Sequence, residues 1–350
     1  MFWKKAIRFS FFAMSVFVFG GSHGVLSSDA RKARGKNVLE KIATNHNEVV
    51  SVASGIENDQ RVLPQTGMTR AVPLIYLTPM DHHGTVARIE YNSKDYARDK
   101  SDIIKEAYVY TPYGYDKNDL NTKYNIIYLM HGMGGRAGEY FKLEKIRNMF
   151  DHLIGNRDIP PSIIVSATFY NKNSETDFQG SIRELRVFHK DFVNNLMPAV
   201  EEQFHTYAVS TSAEDLAASR GHRAFGGFSL GSVTTWMEFC YDYDYIRYFL
   251  PMSGSSWYYG SYGNYYPVKT ADFFEDLIKK NSLKKRGYFI YATTGTQDVV
   301  RDQVEIQMQE MLKRRKAFPP DHVVYYQKQN GRHNFEAVQE YLFNALPLFF

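Results

Sequence analysis

The sequence contains one cysteine, Cys240, among its 350 residues. A single thiol excludes an intramolecular disulfide, so the fold must depend on a hydrophobic core. We interpret Cys240 as a small buried residue of that core. Internal repeats and low-complexity tracts are also absent, which argues for an ordinary folded domain rather than a repeat array or a disordered chain.

A strong excess of charge is missing as well. The formal net charge is +4, and Lys4, Lys5 and Arg8 supply three of these positive charges close to the N terminus. The rest of the chain is therefore nearly neutral. Such a balance argues against nucleic acid or an anionic membrane as a partner.

Apolar runs long enough to cross a membrane are lacking throughout. The basic N-terminal residues precede an apolar run over residues 9–19, and small residues follow at 22–24. This order predicts a cleavable signal peptide over residues 1–24, with a buried N-terminal helix as the alternative. The run is shorter than the ~20 residues that span a bilayer, so we expect no stable membrane anchor. The protein is therefore expected to be secreted or periplasmic.

Residues 25–65 are polar and predict a leader or linker segment, followed by one domain over residues 66–350. Alternating residues at 85–91 and 106–111 predict antiparallel strands at a sheet edge. Buried strands are predicted at 124–130, 162–168, 224–228, 246–252, 287–292 and 322–327. Helical patterns lie between them, including a long helix over 181–204 with a kink at Pro198. This alternation predicts an α/β fold with a mostly parallel central sheet, antiparallel N-terminal edge strands and helices on both faces.

One short motif carries chemistry. Residues 227–231 read Gly-Phe-Ser-Leu-Gly, the G-x-S-x-G nucleophile elbow of α/β-hydrolases, between a predicted strand and a predicted helix. Such a turn holds the serine, here Ser229, in a strained conformation above the sheet edge. A glycine-rich turn with a chance serine is the alternative, and further residues must decide between them.

A serine hydroxyl needs a base to become nucleophilic, and the base needs an orienting acid. In this fold, the acid and the histidine follow the serine on loops after later strands. Asp298 and His333 occupy these two positions. A turn acid and a loop histidine are the alternatives, but their order and placement together predict a triad of Ser229, Asp298 and His333.

Acyl transfer also needs N–H donors for the developing oxyanion. The residue after the nucleophile, Leu230, predicts one donor at a helix N terminus. The loop His131-Gly-Met-Gly-Gly135 predicts the second at Met133, with Gly132 beside the substrate. We expect His131 to brace this loop.

An aromatic and glycine-rich segment over residues 257–266 follows the strand next to the elbow. Rings of this kind stack on sugars and phenolic acids, so Trp257 and Tyr258 are predicted substrate contacts. A self-packed aromatic loop is equally compatible with the pattern. The pair His82-His83 lacks a third ligand at a recognisable spacing, so no metal and no cofactor are expected.

Four segments together resemble the feruloyl and acetylxylan esterases of carbohydrate esterase family one. They cover residues 128–135, 192–201, 223–236 and 251–254. The resemblance extends from about residue 84 to residue 346. Leu230 replaces the usual methionine of the elbow, and Asn334-Phe335 replaces the Asp-Trp that often follows the histidine. The resemblance implies hydrolysis of esters on plant cell-wall xylan, with feruloylated or acetylated xylan as the partner.

The leading hypothesis is a serine carboxylesterase that releases feruloyl groups from arabinoxylan through an acyl-serine intermediate. Acetylxylan esterase, general short-chain carboxylesterase and thioesterase activities are alternatives on the same scaffold. A non-catalytic carbohydrate-binding protein is an alternative from another class. No pattern in the sequence specifies an oligomeric state.

Overall fold

The computed structural model describes residues 64–260 and 266–350. The predicted signal peptide over residues 1–24 and almost all of the predicted leader over 25–65 lie outside the described residues. Among the helices in the described ranges, none combines the length and apolarity needed to cross a membrane.

Nine strands of the described chain form one sheet in the order β1-β9-β8-β7-β6-β4-β5-β3-β2. The strands are β1 (Thr66–Met68), β2 (Thr85–Lys94), β3 (Asp102–Thr111), β4 (Asn125–Met130), β5 (Ser162–Ala167), β6 (Arg223–Phe228), β7 (Tyr248–Met252), β8 (Phe289–Gly295) and β9 (Val323–Lys328).

Strand direction and burial both differ between the N-terminal edge and the centre of the sheet. β3 runs antiparallel to both of its neighbours, β2 and β5, whereas the other paired strands are parallel. β2 alternates between buried and exposed residues along its second half, as expected for an edge strand. β4, β5 and β6 are buried at every position. The predicted mostly parallel sheet with antiparallel N-terminal edge strands is therefore confirmed.

Helices connect the parallel strands. The α-helices are α1 (Glu144–Gly155), α2 (Phe178–Leu185), α3 (Phe188–Asp191), α4 (Met197–Gln203), α5 (Ala213–Ala218), α6 (Leu230–Tyr241), α7 (Pro267–Lys280), α8 (Leu283–Arg286), α9 (Arg301–Leu312) and α10 (Phe335–Ala345). The central strands and the apolar faces of α2, α6, α7 and α9 form a hydrophobic core in which Tyr128, Phe225 and Trp236 are fully buried. Buried residues of α1 and α10, such as Phe150 and Leu342, lie outside this cluster.

The single long helix predicted over residues 181–204 is wrong in detail. The structure divides this segment into α2, α3, a π-helical turn over Phe192–Leu196, and α4. Pro198 has no N–H, so the α-helical bond to the carbonyl of Asn194 cannot form. The N–H of Met197 instead donates to the carbonyl of Phe192, five residues earlier, which is the bond that defines a π turn.

The strand β1 was not predicted from the sequence. It adds to the outer side of β9, where Thr66 pairs with Tyr325 and Met68 with Gln327. Its three residues are too few to show a period, and glycine at its centre weakens any strand pattern.

Two buried carboxyl groups lie one turn apart at the C-terminal end of α6. Glu238 is fully buried and Asp242 is 5% exposed. Burial raises the pKa of both carboxyls, to about 7 for Asp242. The folded protein therefore keeps a proton on Asp242 that the unfolded chain, with a pKa near 4, releases. Stability is consequently lost as the pH rises from about 4 to about 7.

Replacing Asp242 with asparagine is expected to remove this loss. The variant should raise the melting temperature by a few degrees more at pH 8 than at pH 5, because asparagine does not ionise. Thermal unfolding at both pH values measures the difference. Asp244→Asn is the matched control, since Asp244 pairs with Arg286 at the surface. An equal change for Asp242→Asn at both pH values would show that the buried carboxyl does not titrate in this range.

Candidate active site

Ser229 lies in the sharp turn between β6 and α6, with φ 59° and ψ −117°. A positive φ is strained for any residue with a side chain. Steric crowding explains why both flanking positions of the motif are glycine. A Cβ atom on Gly231 would lie 2.1 Å from the carbonyl oxygen of Met130, and one on Gly227 would lie 2.3 Å from the carbonyl oxygen of Gly231. The close approach of β4, β6 and α6 therefore presents the Ser229 hydroxyl at the carboxyl edge of the sheet.

A row of hydrogen bonds joins Ser229 to the predicted histidine and acid. The Ser229 hydroxyl donates to Nε2 of His333 over 2.8 Å, and Nδ1 of His333 donates to Oδ1 of Asp298 over 2.9 Å. The side chain of Asp298 has no exposed surface, whereas that of His333 is 24% exposed. The structure thus brings together three residues that are far apart in sequence, and leaves the imidazole open on one side.

Local backbone contacts position the acid and the histidine. Asp298 follows β8, and its Oδ1 also accepts the N–H of Val300 over 2.9 Å. His333 follows β9 and precedes Asn334, whose side chain caps α10 by accepting the N–H of Ala337. Each residue is therefore held where a strand ends and a helix begins, as the sequence order predicted.

The ring of Phe228 supports the imidazole. Its centroid lies 4.6 Å from that of His333, and Phe335 packs behind it at 5.5 Å. Sequence reasoning missed this role for Phe228, although its position inside the G-x-S-x-G motif is the signal that could have pointed to it.

The predicted oxyanion donors lie on both sides of Ser229. Leu230 is the first residue of α6, so its N–H has no partner within the helix. In the facing loop, the N–H of Gly134 donates to the hydroxyl of Tyr170 and that of Gly135 to the carbonyl of Gly132. The N–H of Met133 makes no hydrogen bond within residues 64–260 and 266–350. Two backbone donors are thus left for a ligand.

Gly132 lies directly against the serine. A Cβ atom at Gly132 would lie 3.1 Å from Cβ of Ser229. A larger residue here would crowd the space through which an acyl group approaches the hydroxyl.

His131 is a buried, neutral brace of this loop. Its Nδ1 donates to the carbonyl of Gly132 over 2.7 Å, and its Nε2 accepts the hydroxyl of Thr168 over 2.7 Å. Burial lowers the pKa of His131 to about 4, so the ring carries no charge near neutral pH. Both ring nitrogens are occupied, which excludes proton transfer to a substrate from this residue.

A small cavity of about 180 Å³ opens beside Ser229. Most of its lining is apolar, and the lining residues are Met133, Phe178, Ser229, Leu230, Val233, Ser253, Gly254, Ser255, Trp257, Val300 and Gln303. The structure places the predicted contact Trp257 in this wall, where its centroid lies 5.8 Å from that of Phe178. Phe178 and Gln303 were not predicted, because their helices carry no motif.

Tyr258 is not part of this lining. Its ring stacks on Phe273 at 4.1 Å and lies 6.4 Å from the ring of Tyr241. The chain turns directly after Trp257, whose carbonyl accepts the N–H of Gly260, so Trp257 and Tyr258 contact different parts of the protein. Residues 261–265 of the predicted aromatic segment lie outside the described residues.

The described residues contain no group of three or more His, Cys, Asp and Glu side chains arranged to hold a metal. His82 instead stacks on Tyr113 with ring centroids 4.4 Å apart. Cys240 is buried, and burial raises the pKa of its thiol.

A strained serine hydrogen-bonded to a histidine and a buried aspartate, at the carboxyl edge of a mostly parallel sheet, is the arrangement of an α/β-hydrolase. Residues 105–349 match the model of the Esterase family, and the chain belongs to this family. The resemblance to the esterases of carbohydrate esterase family one, predicted from four segments, is confirmed by the relatives below.

The relatives include a xylanase matched by its sequence and solved structures of esterases. Endo-1,4-beta-xylanase Y of Acetivibrio thermocellus is 35% identical over 291 residues, which cover 80% of this chain and 24% of the xylanase. The feruloyl esterase module of Clostridium thermocellum, solved as a mutant complexed with sinapinate, is 34% identical with a TM-score of 0.69. That match covers 82% of this chain and 95% of the module.

A ferulic acid esterase from the anaerobic fungus Anaeromyces mucronatus is 16% identical with a TM-score of 0.59, and covers 81% of this chain and 97% of its own. At this identity the likeness concerns the fold alone. The chain spans about a quarter of the length of xylanase Y.

Proposed function

We propose that the protein is a serine esterase that releases feruloyl groups from xylan. The observation that carries this proposal is the position of His333, which links the Ser229 hydroxyl to the Asp298 carboxylate at 2.8 and 2.9 Å. Support for the substrate comes from the relatives, one of which is the feruloyl esterase module that covers most of this chain.

In the first half of the reaction, Oγ of Ser229 attacks the ester carbonyl carbon while its proton passes to Nε2 of His333. Asp298 accepts the Nδ1–H of the same ring, which fixes the tautomer and stabilises the imidazolium. The negative oxygen of the tetrahedral intermediate accepts the N–H groups of Met133 and Leu230. The intermediate then collapses, and the departing sugar alkoxide takes the proton from His333.

In the second half, water attacks the acyl-serine and gives a proton to His333. The same two N–H groups stabilise the second tetrahedral intermediate. Its collapse releases the carboxylic acid and returns the proton to Ser229. Water and ester are thus converted to acid and alcohol with no net change in the protein, and the proposal needs no cofactor.

The lining of the cavity favours an aromatic acyl group over acetyl. Phe178 and Trp257 contribute aromatic rings to the lining, and Leu230 and Val233 contribute aliphatic side chains. A planar cinnamoyl group would bury apolar surface against these walls. An acetyl group would leave most of this surface without contact.

Xylan is a polymer outside the cell, and the predicted signal peptide over residues 1–24 agrees with action there. We propose that the mature enzyme is secreted or periplasmic. Mass spectrometry of the protein recovered from culture medium and periplasm tests this. An uncleaved chain found in the cytoplasm alone would reject it.

The purified mature chain should hydrolyse methyl ferulate and release ferulate from feruloylated arabinoxylan. Ser229→Ala should reduce both rates by roughly 10⁴- to 10⁶-fold, because the nucleophile is removed. Liquid chromatography of the released acid measures turnover, with 4-nitrophenyl acetate as the comparison ester. Turnover of the acetate alone would favour a short-chain or acetylxylan esterase. Binding to xylan without turnover of any ester would favour a carbohydrate-binding protein.

A further inference from the structure

Besides Ser229, three polar side chains line the cavity, namely Ser253, Ser255 and Gln303. The hydroxyl oxygens of Ser253 and Ser255 are enclosed by protein and are not accessible at the cavity surface. Gln303 is half-buried, and its amide makes no hydrogen bond within the described ranges. Among the described lining residues, the accessible amide or hydroxyl group without an assigned part in the reaction is therefore the amide of Gln303.

A second glutamine on α9, Gln307, ties this helix to the wall of the cavity. Gln307 is 1% exposed, and its Oε1 accepts the N–H of Ser256 over 2.7 Å. This bond ties α9 to the segment that carries Trp257. Gln303 lies one turn earlier on the same helix face, and so faces the same segment.

The start of α9 is fixed by the predicted catalytic acid. Asp298 accepts the N–H of Val300 with its carboxylate and the N–H of Arg301 with its carbonyl oxygen. The position of Gln303 on α9 is therefore coupled to Asp298, which is hydrogen-bonded to His333.

We propose that Gln303 hydrogen-bonds a polar substituent on the acyl ring, such as the phenolic hydroxyl of a hydroxycinnamoyl ester. This inference rests on the proposed function. The apolar walls contact hydroxylated and unsubstituted rings equally, so they give little discrimination between the two. An unsubstituted ring would also bury the Gln303 amide without a partner, and an unmade bond of that kind is costly. Gln303 is thus the residue that selects hydroxylated rings.

The test compares kcat/KM for methyl 4-hydroxycinnamate and methyl cinnamate. Gln303→Met keeps the length of the side chain and removes the amide. We expect this variant to lose about 3- to 10-fold in kcat/KM on the hydroxylated ester, with activity on the cinnamate unchanged or improved. Gln309→Met is the matched control, because Gln309 lies on the exposed side of α9, where it bonds to Glu305, and it should leave both values unchanged.

The outcomes separate the two proposals. Equal losses on both esters, or no loss on either, would overturn the role of Gln303 while wild-type turnover of the esters still supported the esterase. Failure of the wild type to hydrolyse either ester would overturn the proposed function and this inference with it. Circular dichroism of each variant identifies a loss that comes from misfolding.

Discussion

Replacing His333 with alanine is expected to lower kcat for methyl ferulate by roughly 10⁴- to 10⁶-fold, with little change in KM. The imidazole is hydrogen-bonded to the Ser229 hydroxyl at 2.8 Å, and no other base among the described residues contacts that oxygen. Without it, the serine proton has no acceptor and the leaving alcohol has no donor. Steady-state kinetics on the purified variant measures the loss.

Asp298→Asn should cost about 10⁴-fold, because an amide can no longer hold the Nδ1–H tautomer of His333. The double variant with His333→Ala should be hardly worse than His333→Ala alone, since both residues act on one proton transfer. His83→Ala is the control, as His83 is exposed, and it should retain full activity. Additive losses in the double variant would show that the two residues do not act as a unit.

Gly231→Ala is expected to have the largest effect on stability. The added methyl group would lie 2.1 Å from the carbonyl oxygen of Met130, and that oxygen belongs to a central strand that cannot move freely. Overpacking of this kind costs about 1–3 kcal/mol or more. The accompanying shift of α6 would displace the Leu230 N–H, and a 1 Å misplacement can reduce the rate ~10²-fold.

Urea unfolding and kcat on methyl ferulate measure the two consequences of Gly231→Ala. Gly221→Ala is the control, because a Cβ there would meet only the Arg247 side chain at 4.0 Å. Wild-type stability and activity in Gly231→Ala would contradict the steric account of the turn.

Much of the fold could be predicted because the central strands are short, buried and mostly apolar. β4, β5 and β6 are six-residue strands made mostly of apolar residues and glycine and are buried at every position, as expected for central strands of a parallel sheet. The row of side chains at Ser229 could be predicted for a related reason. Parallel strands end at one edge, so residues that follow β6, β8 and β9 must come close together.

Other features depend on contacts that sequence periodicity does not encode. β1 gains its position from pairing with β9, more than 250 residues away in sequence. The π turn at Phe192–Leu196 reflects a missing N–H and its packing neighbours, not a hydrophobic period. Sequence reasoning did not point to Gln303, because its place in the cavity lining depends on the packing of α9, including the bond between Gln307 and Ser256, and no motif marks either element.

Covalent labelling of the native enzyme tests the central claim, that Ser229 accepts the acyl group. The enzyme would be treated with a fluorophosphonate, digested, and sequenced by tandem mass spectrometry, with Ser229→Ala in parallel. We predict one modified peptide with the phosphonate on Ser229, loss of methyl ferulate hydrolysis in proportion to labelling, and no label on the variant. Labelling at another residue in an enzyme that loses its activity, or full activity in Ser229→Ala, would contradict the account.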